Sequence, residues 1–154
     1  ISNMRHGWST DEDHWDELES FVLKYKDLIS WSHTQATLKL SHNIPDSPGV
    51  YSFNVYRDFS IDNEKNKYPY LFDDLDSSYN SLYSSIYIGM SDNLQRRFKE
   101  HLIDNPKIIN AINTFAKSGR KSLIYSWTEF PKVLTREYED KLIKVFGPTL
   151  NMQN

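Results

Sequence analysis

Ser85-Ile86-Tyr87-Ile88-Gly89-Met90-Ser91-Asp92-Asn93-Leu94-Gln95-Arg96-Arg97-Phe98-Lys99-Glu100-His101-Leu102 is the stretch on which the reading of this chain turns. Its first five residues are apolar and aromatic enough to form a strand that ends on a glycine. Ser91-Asp92 then offers capping side chains to a helix in which Leu94, Phe98 and Leu102 recur every four residues and share one buried face. Arg97 and His101 are also four apart, so they form a second row beside that face. An arginine and a histidine paired on one helix, just behind a strand and its glycine, are not what a hydrophobic core asks for.

Working downstream, Pro106 suits the first turn of another helix carrying Ile108, Ile109, Ile112 and Phe115, which Ser118-Gly119 ends. Ser122 to Trp127 reads as a strand. Thr135 is expected to cap a last helix with Tyr138, Leu142, Ile143, Val145 and Phe146 inside, stopped by Gly147-Pro148. Upstream, Gly49 to Tyr56 has the β-branched and aromatic enrichment of a strand, with Val50, Tyr51, Phe53 and Val55. Residues 57–84 turn polar and acidic and read as a long insertion, part of which Tyr68, Tyr70, Leu71 and Phe72 would pack down. Residues 31–48 form a connection with one short extended piece at Thr37-Leu38-Lys39-Leu40. The opening helix is expected from Asp11 to Ser30, with Trp15, Leu18, Val22, Tyr25 and Ile29 on its apolar face.

That order predicts an α+β fold: a small, mostly antiparallel three-stranded sheet flanked by helices, with an N-terminal helix and a long insertion between the first two strands. At 154 residues the chain fits one domain, 1–154, in which residues 1–48 form an N-terminal helical extension. Hydrophobic residues make up only 38%, but the 14% that are aromatic supply much of the buriable area, so the chain folds. The absence of cysteine excludes disulfides and thiolate metal sites. No apolar run is long enough to span a bilayer, and the start, with Arg5, His6, Asp11, Glu12 and Asp13, does not read as a signal peptide. The expectation is a soluble, intracellular protein of the cytoplasm that does not bind membranes.

The net charge of −3 hides an asymmetry: residues 90–154 carry eleven Lys/Arg against seven Asp/Glu, and residues 1–89 carry seven against fourteen. The basic surplus lies with the Arg/His helix. Because charges screen over ~8 Å at physiological salt, a locally positive face can hold a phosphate backbone on an acidic protein, although a solvated mixed-charge surface explains the asymmetry about as well.

With Pro48-Gly49-Val50-Tyr51 as a second glycine-and-tyrosine segment, and with Glu139, Pro148 and Asn151 spaced along the last helix and beyond it, the chain resembles the GIY-YIG endonuclease superfamily from about Gly49 to Asn151. The resemblance implies that Tyr51 and Tyr87 are the signature tyrosines, with hydroxyls that reach the site and act on or position the attacking water. It implies that Arg97 contacts phosphate, that His101 takes or relays a proton, and that Glu139 holds a single divalent metal, Mg²⁺ or Mn²⁺. Asn151 would be an amide that hydrogen-bonds within the site. The residue types suit these roles: guanidinium keeps its charge and forks onto two oxygens, imidazole titrates near ~6.5, and Mg²⁺ needs only one or two protein carboxylates. By themselves these residues have plainer readings, Glu139 as a first-turn carboxylate serving the helix dipole, Arg97 as a partner of Glu100, the tyrosines as core. Glu137 and Arg96 are rivals that sit off the family spacing or off the Arg97 row.

Two departures stand out. Tyr51 and Tyr87 are far apart for the family, and position 90 is Met where some relatives carry lysine. The expected function is metal-dependent hydrolysis of DNA phosphodiester bonds, with DNA as partner and a protein partner at the acidic insertion. The alternative is a catalytically degenerate domain of the same fold that binds DNA or protein.

Overall fold

The computed structural model describes residues 8–55, 82, 84–117 and 123–151. Along the chain come α1 (Glu12–Lys24), β1 (Trp31–Gln35), β2 (Gly49–Asn54), β3 (Ser85–Ser91), α2 (Leu94–Asp104), α3 (Pro106–Lys117), β4 (Ile124–Glu129) and α4 (Lys132–Phe146). Short 3₁₀ turns at Lys26–Leu28 and Leu38–Asn43 flank β1.

Among the described residues the sheet has four strands rather than the expected three, antiparallel throughout, in the order β1-β4-β2-β3. The added strand is β1, whose Trp31 to Gln35 pair with Thr128 to Ile124. It sits at the sheet edge and three of its five residues are exposed, so neither hydrophobic run nor alternation marks it. The extended piece expected at Thr37–Leu40 begins a 3₁₀ turn instead. α1 is also shorter than expected: it stops at Lys24, and a 3₁₀ turn carries the chain toward β1.

β2 is a central strand, buried at every position, and side-chain alternation divides it between two layers. Val50 faces one layer with Ile88, under α1 and α4, where Trp15, Leu18, Phe21, Tyr138, Leu142 and Val145 complete a core. Tyr51 and Phe53 face the other with Tyr125 and Trp127, covered by Leu94 and Phe98 of α2 and Ile108 of α3. Each such aliphatic or aromatic side chain removed from water contributes ~1.5–3 kcal/mol. Gly49 leaves no room for a side chain, since a Cβ there would run into the Thr128 carbonyl and stand 2.7 Å from Leu94.

The wide separation of Tyr51 and Tyr87 follows from a hairpin with a long connection. Val55 N–H donates to Ser84 O at 3.0 Å, so the ends of that connection meet. Most of the 57–84 insertion, with Tyr68, Tyr70, Leu71 and Phe72, lies outside the described residues, as does the Ser118-Gly119 stop of α3.

α4 departs from expectation in a way that affects the site. It begins at Lys132 behind Pro131, and Thr135, expected as its cap, is buried inside the helix with its hydroxyl donating to Lys132 O at 2.8 Å. Glu139 therefore lies in the helix interior, and the first turn carries no acid. Gly147 closes the helix in the left-handed conformation (φ 51°), its N–H donating to Ile143 O.

Candidate active site

The antiparallel register sets Tyr51 of β2 directly opposite Gly89 of β3. The Tyr51 ring lies across that glycine: a Cβ at position 89 would stand 2.5 Å from the hydroxyl and 2.6 Å from Cζ. Gly89 is thus needed for close approach, because it lets a phenol from a central strand extend over the edge strand beside it. Tyr125 stacks under Tyr51 at 5.5 Å and Phe53 abuts it edge-on at 6.1 Å, which fixes the ring. Tyr87, opposite Phe53, stands 6.2 Å from Tyr51 by ring centroid and is only partly buried.

α2 brings the next two groups. Its N-cap is Asn93, one or two residues beyond the Ser91-Asp92 expected, with the side chain accepting from Arg96 N–H. Leu94 and Phe98 anchor the helix, while Gln95 donates to the carbonyls of Ser41 and Ile44. His101, 3% exposed, points into the tyrosine layer with Nε2 2.6 Å from the Tyr51 hydroxyl. Its ring also stands 5.2 Å from that of Tyr87. Arg97 stays half-exposed, with Nη1 donating to Glu100 at 3.1 Å, so the Glu100 pairing read from sequence is present alongside its place in the site. Arg96 bonds Asp92 at 2.7 Å on the solvent side.

Glu139 and Asn151 come from the chain's end. α4 packs on β3 and β2 from the opposite layer, but β3 is an edge strand, and the charge of Glu139 is felt at Tyr51. Asn151 uses both ends of its amide on the outer rim of β3: Oδ1 accepts from Ile88 N–H and Nδ2 donates to Ile88 O, each at 2.7 Å. With Leu150 N–H on Ile86 O, it stands in for a missing neighbour strand and holds the backbone between Tyr87 and Gly89.

Tyr51 is the hub of the electrostatics. Burial holds its phenol well above the ordinary tyrosine range; Tyr87 and, less strongly, Glu139 add to the rise, while Arg97 works against it. The attraction to Tyr51 in turn holds Arg97 more firmly charged than usual. Burial, and then the charge of Arg97, push the His101 imidazole down to about 4 against the pull of Glu100, so it is neutral at neutral pH. Burial raises Glu139, with Asp140 adding and Arg136 opposing. An open groove of about 470 Å³, lined by Arg97, Glu100, His101, Asp104, Asn105 and Pro106, gives access beside the two α2 side chains.

Among the described residues no three His, Asp or Glu side chains converge, so a cation at Glu139 would have at most two such ligands from those residues. No ion pair within hydrogen-bonding range engages Glu139 among those residues. A half-buried carboxylate with that freedom fits a hard, water-retaining cation such as Mg²⁺. Met90 faces the α1 and α4 layer, so the lysine-to-methionine departure falls on the far side of the strand from Tyr51. Sequence reading missed Asn105, which links His101 to α3; the signal available was an Asn-Pro pair at a helix start.

The sequence profile of the GIY-YIG catalytic domain matches residues 77–153, half of the chain. The chain belongs to the GIY-YIG family. Membership in GIY-YIG gives nuclease activity as the general function. The matched span holds Tyr87, Arg97, His101, Glu139 and Asn151, and the β2–β3 register places Tyr51 against it. Curated proteins and solved structures give no match. No helix among the described residues is long and apolar enough to cross a membrane.

Proposed function

We propose that this GIY-YIG domain is a divalent-metal-dependent endonuclease that hydrolyses DNA phosphodiester bonds. The observation that carries the reading is the meeting at the Tyr51 hydroxyl: His101 Nε2 at 2.6 Å, Arg97 attracted to it, and Glu139 within electrostatic reach. Water attacks phosphorus in line and the far P–O bond breaks. Arg97, charged and beside the groove, faces the charge that grows on the phosphate oxygens in the transition state. Tyr87 fixes the position of the reacting groups. The water's proton passes to the Tyr51 oxygen, which His101 contacts. Glu139 would hold Mg²⁺ or Mn²⁺, which when bound would supply positive charge at the phosphate and ease deprotonation of the attacking water.

A second reading, binding without cleavage, draws on two observations: burial that disfavours ionisation of Tyr51, and the Glu100 carboxylate already engaged by Arg97. Incubation with supercoiled plasmid and Mg²⁺ or Mn²⁺ separates the two. Nicked or linear product, lost on chelation with EDTA, supports the nuclease; retarded plasmid that stays supercoiled supports the binding domain.

A further inference from the structure

Asn105 occupies the single residue between α2 and α3 and makes three side-chain contacts. Its Oδ1 accepts from the N–H groups of Lys107 at 3.1 Å and Ile108 at 3.3 Å, which makes it the N-cap of α3. Its Nδ2 lies 2.8 Å from His101 Nδ1. Those contacts determine which way the amide faces. Turned over, it would point its NH₂ at two backbone donors and leave them without an acceptor. An NH₂ facing His101 can only donate, so Nδ1 must accept with its lone pair. The proton of the neutral imidazole is then on Nε2, 2.6 Å from the Tyr51 hydroxyl.

The geometry points to Asn105 as a positioning residue that fixes the His101 proton on Nε2, making His101 a donor to the Tyr51 oxygen, so that the Tyr51 O–H is turned away from His101. The inference rests on the nuclease reading for its consequence but not for its geometry. His101 does not accept a proton from Tyr51. The hydroxyl gives its proton to solvent on ionising and takes one back from the attacking water, so the imidazole neither gains nor loses a proton. A donor on the oxygen favours the ionised phenol, which burial otherwise opposes, and that gives the imidazole its use. The α3 cap and the His101 orientation come from one side chain, so the helix start is part of the site's construction.

Asn105→Asp tests this with little disturbance of the fold. Aspartate caps a helix as well as asparagine, so α3 keeps its start, but the oxygen then facing His101 Nδ1 demands a proton there. Nitrogen-15 magnetic resonance of the histidine rings in the full chain, with the His101 signals identified by their loss in His101→Gln, should show Nε2 protonated and Nδ1 bare in the unmutated protein near neutral pH. In Asn105→Asp, Nδ1 should be protonated, and plasmid cleavage should slow by about a hundredfold or more at an unchanged melting temperature. Asn105→Ser, which caps α3 but cannot reach the ring as a donor, should show a mixture of tautomers and an intermediate rate. A bare Nε2 in the unmutated protein overturns the inference, as does Asn105→Asp cutting at the unmutated rate with its tautomer reversed. If the unmutated protein cuts no DNA while the ring carries its proton on Nε2, the nuclease reading fails and the assignment of Asn105 stands.

Discussion

The two faces of the sheet both bury polar side chains, and they use them differently. On the α1 and α4 face, Ser85, Ser52, Asn54, Ser126 and His33 are joined in a chain of hydrogen bonds of 2.5–2.9 Å that crosses all four strands. Each member bonds another, and Ser52, Asn54 and Ser126 are at most 1% exposed, while His33 at the sheet edge is exposed. On the α2 and α3 face, His101 and Tyr51 are equally buried, but their hydrogen bonds lead toward Arg97 and an open groove. A polar network whose members bond one another across the strands satisfies buried positions that would otherwise cost energy, and so serves the fold. One that ends at a cleft has capacity left for a ligand. The comparison teaches that burial of polar groups alone does not distinguish a site; what distinguishes it is whether the buried groups meet a charged side chain beside a cleft.

Mutations break that contrast most sharply at Arg97. Arg97→Ala should lower the plasmid cleavage rate by ~10²–10³-fold, since a donor at developing charge contributes ~2.7–4 kcal/mol, and should leave the melting temperature nearly unchanged because the side chain is half-exposed. Arg96→Ala, on the solvent side, should do neither.

His101 provides the next effect, read as stability against pH. The unfolded chain takes up a proton near 6.5 that the folded chain resists until about 4. Stability present above pH 6.5 is therefore lost as the pH falls toward 4, by ~3 kcal/mol. Denaturant titrations from pH 7 to 4 should show that loss in the unmutated protein and a smaller one in His101→Gln. A His101 that titrated normally would make the two curves parallel.

Ser52→Ala should be the mirror image of Arg97→Ala. Removing the hydroxyl deprives buried Asn54 and Ser85 of a partner and should cost ~1–3 kcal/mol in urea unfolding, with the cleavage rate of the folded protein unchanged. The smallest effect belongs to Tyr125. Its hydroxyl is fully buried under Tyr51 with no hydrogen-bond partner among the described residues, so Tyr125→Phe should be neutral or stabilise by up to ~1 kcal/mol. A clear destabilisation would mean that this hydroxyl takes part in the site network.

Much of this was legible in the sequence, and the reasons differ by element. The strand at Tyr87, the four-residue spacing of Leu94 and Phe98, and Pro106 at the start of α3 each carry a strong local signal, and each lies where it was read. β1 was hidden because an edge strand hydrogen-bonded on one side needs neither alternation nor β-branched residues. The start of α4 was misplaced because Thr135, a good capping type, instead bonds back into its own helix. That error matters: it put Glu139 in a first turn, where the dipole would explain it, whereas an interior Glu has no such explanation. Asn105 was passed over since its effect depends on a histidine one turn earlier, and only coordinates show which end of the amide faces the ring.

The central claim is that one carboxylate from the opposite layer completes the tyrosine face. Glu139→Ala, assayed on supercoiled plasmid with Mg²⁺ and with Mn²⁺, tests it most directly. The account predicts that cleavage disappears with both metals while DNA retardation and the melting temperature hold, and cleavage at the unmutated level would contradict it.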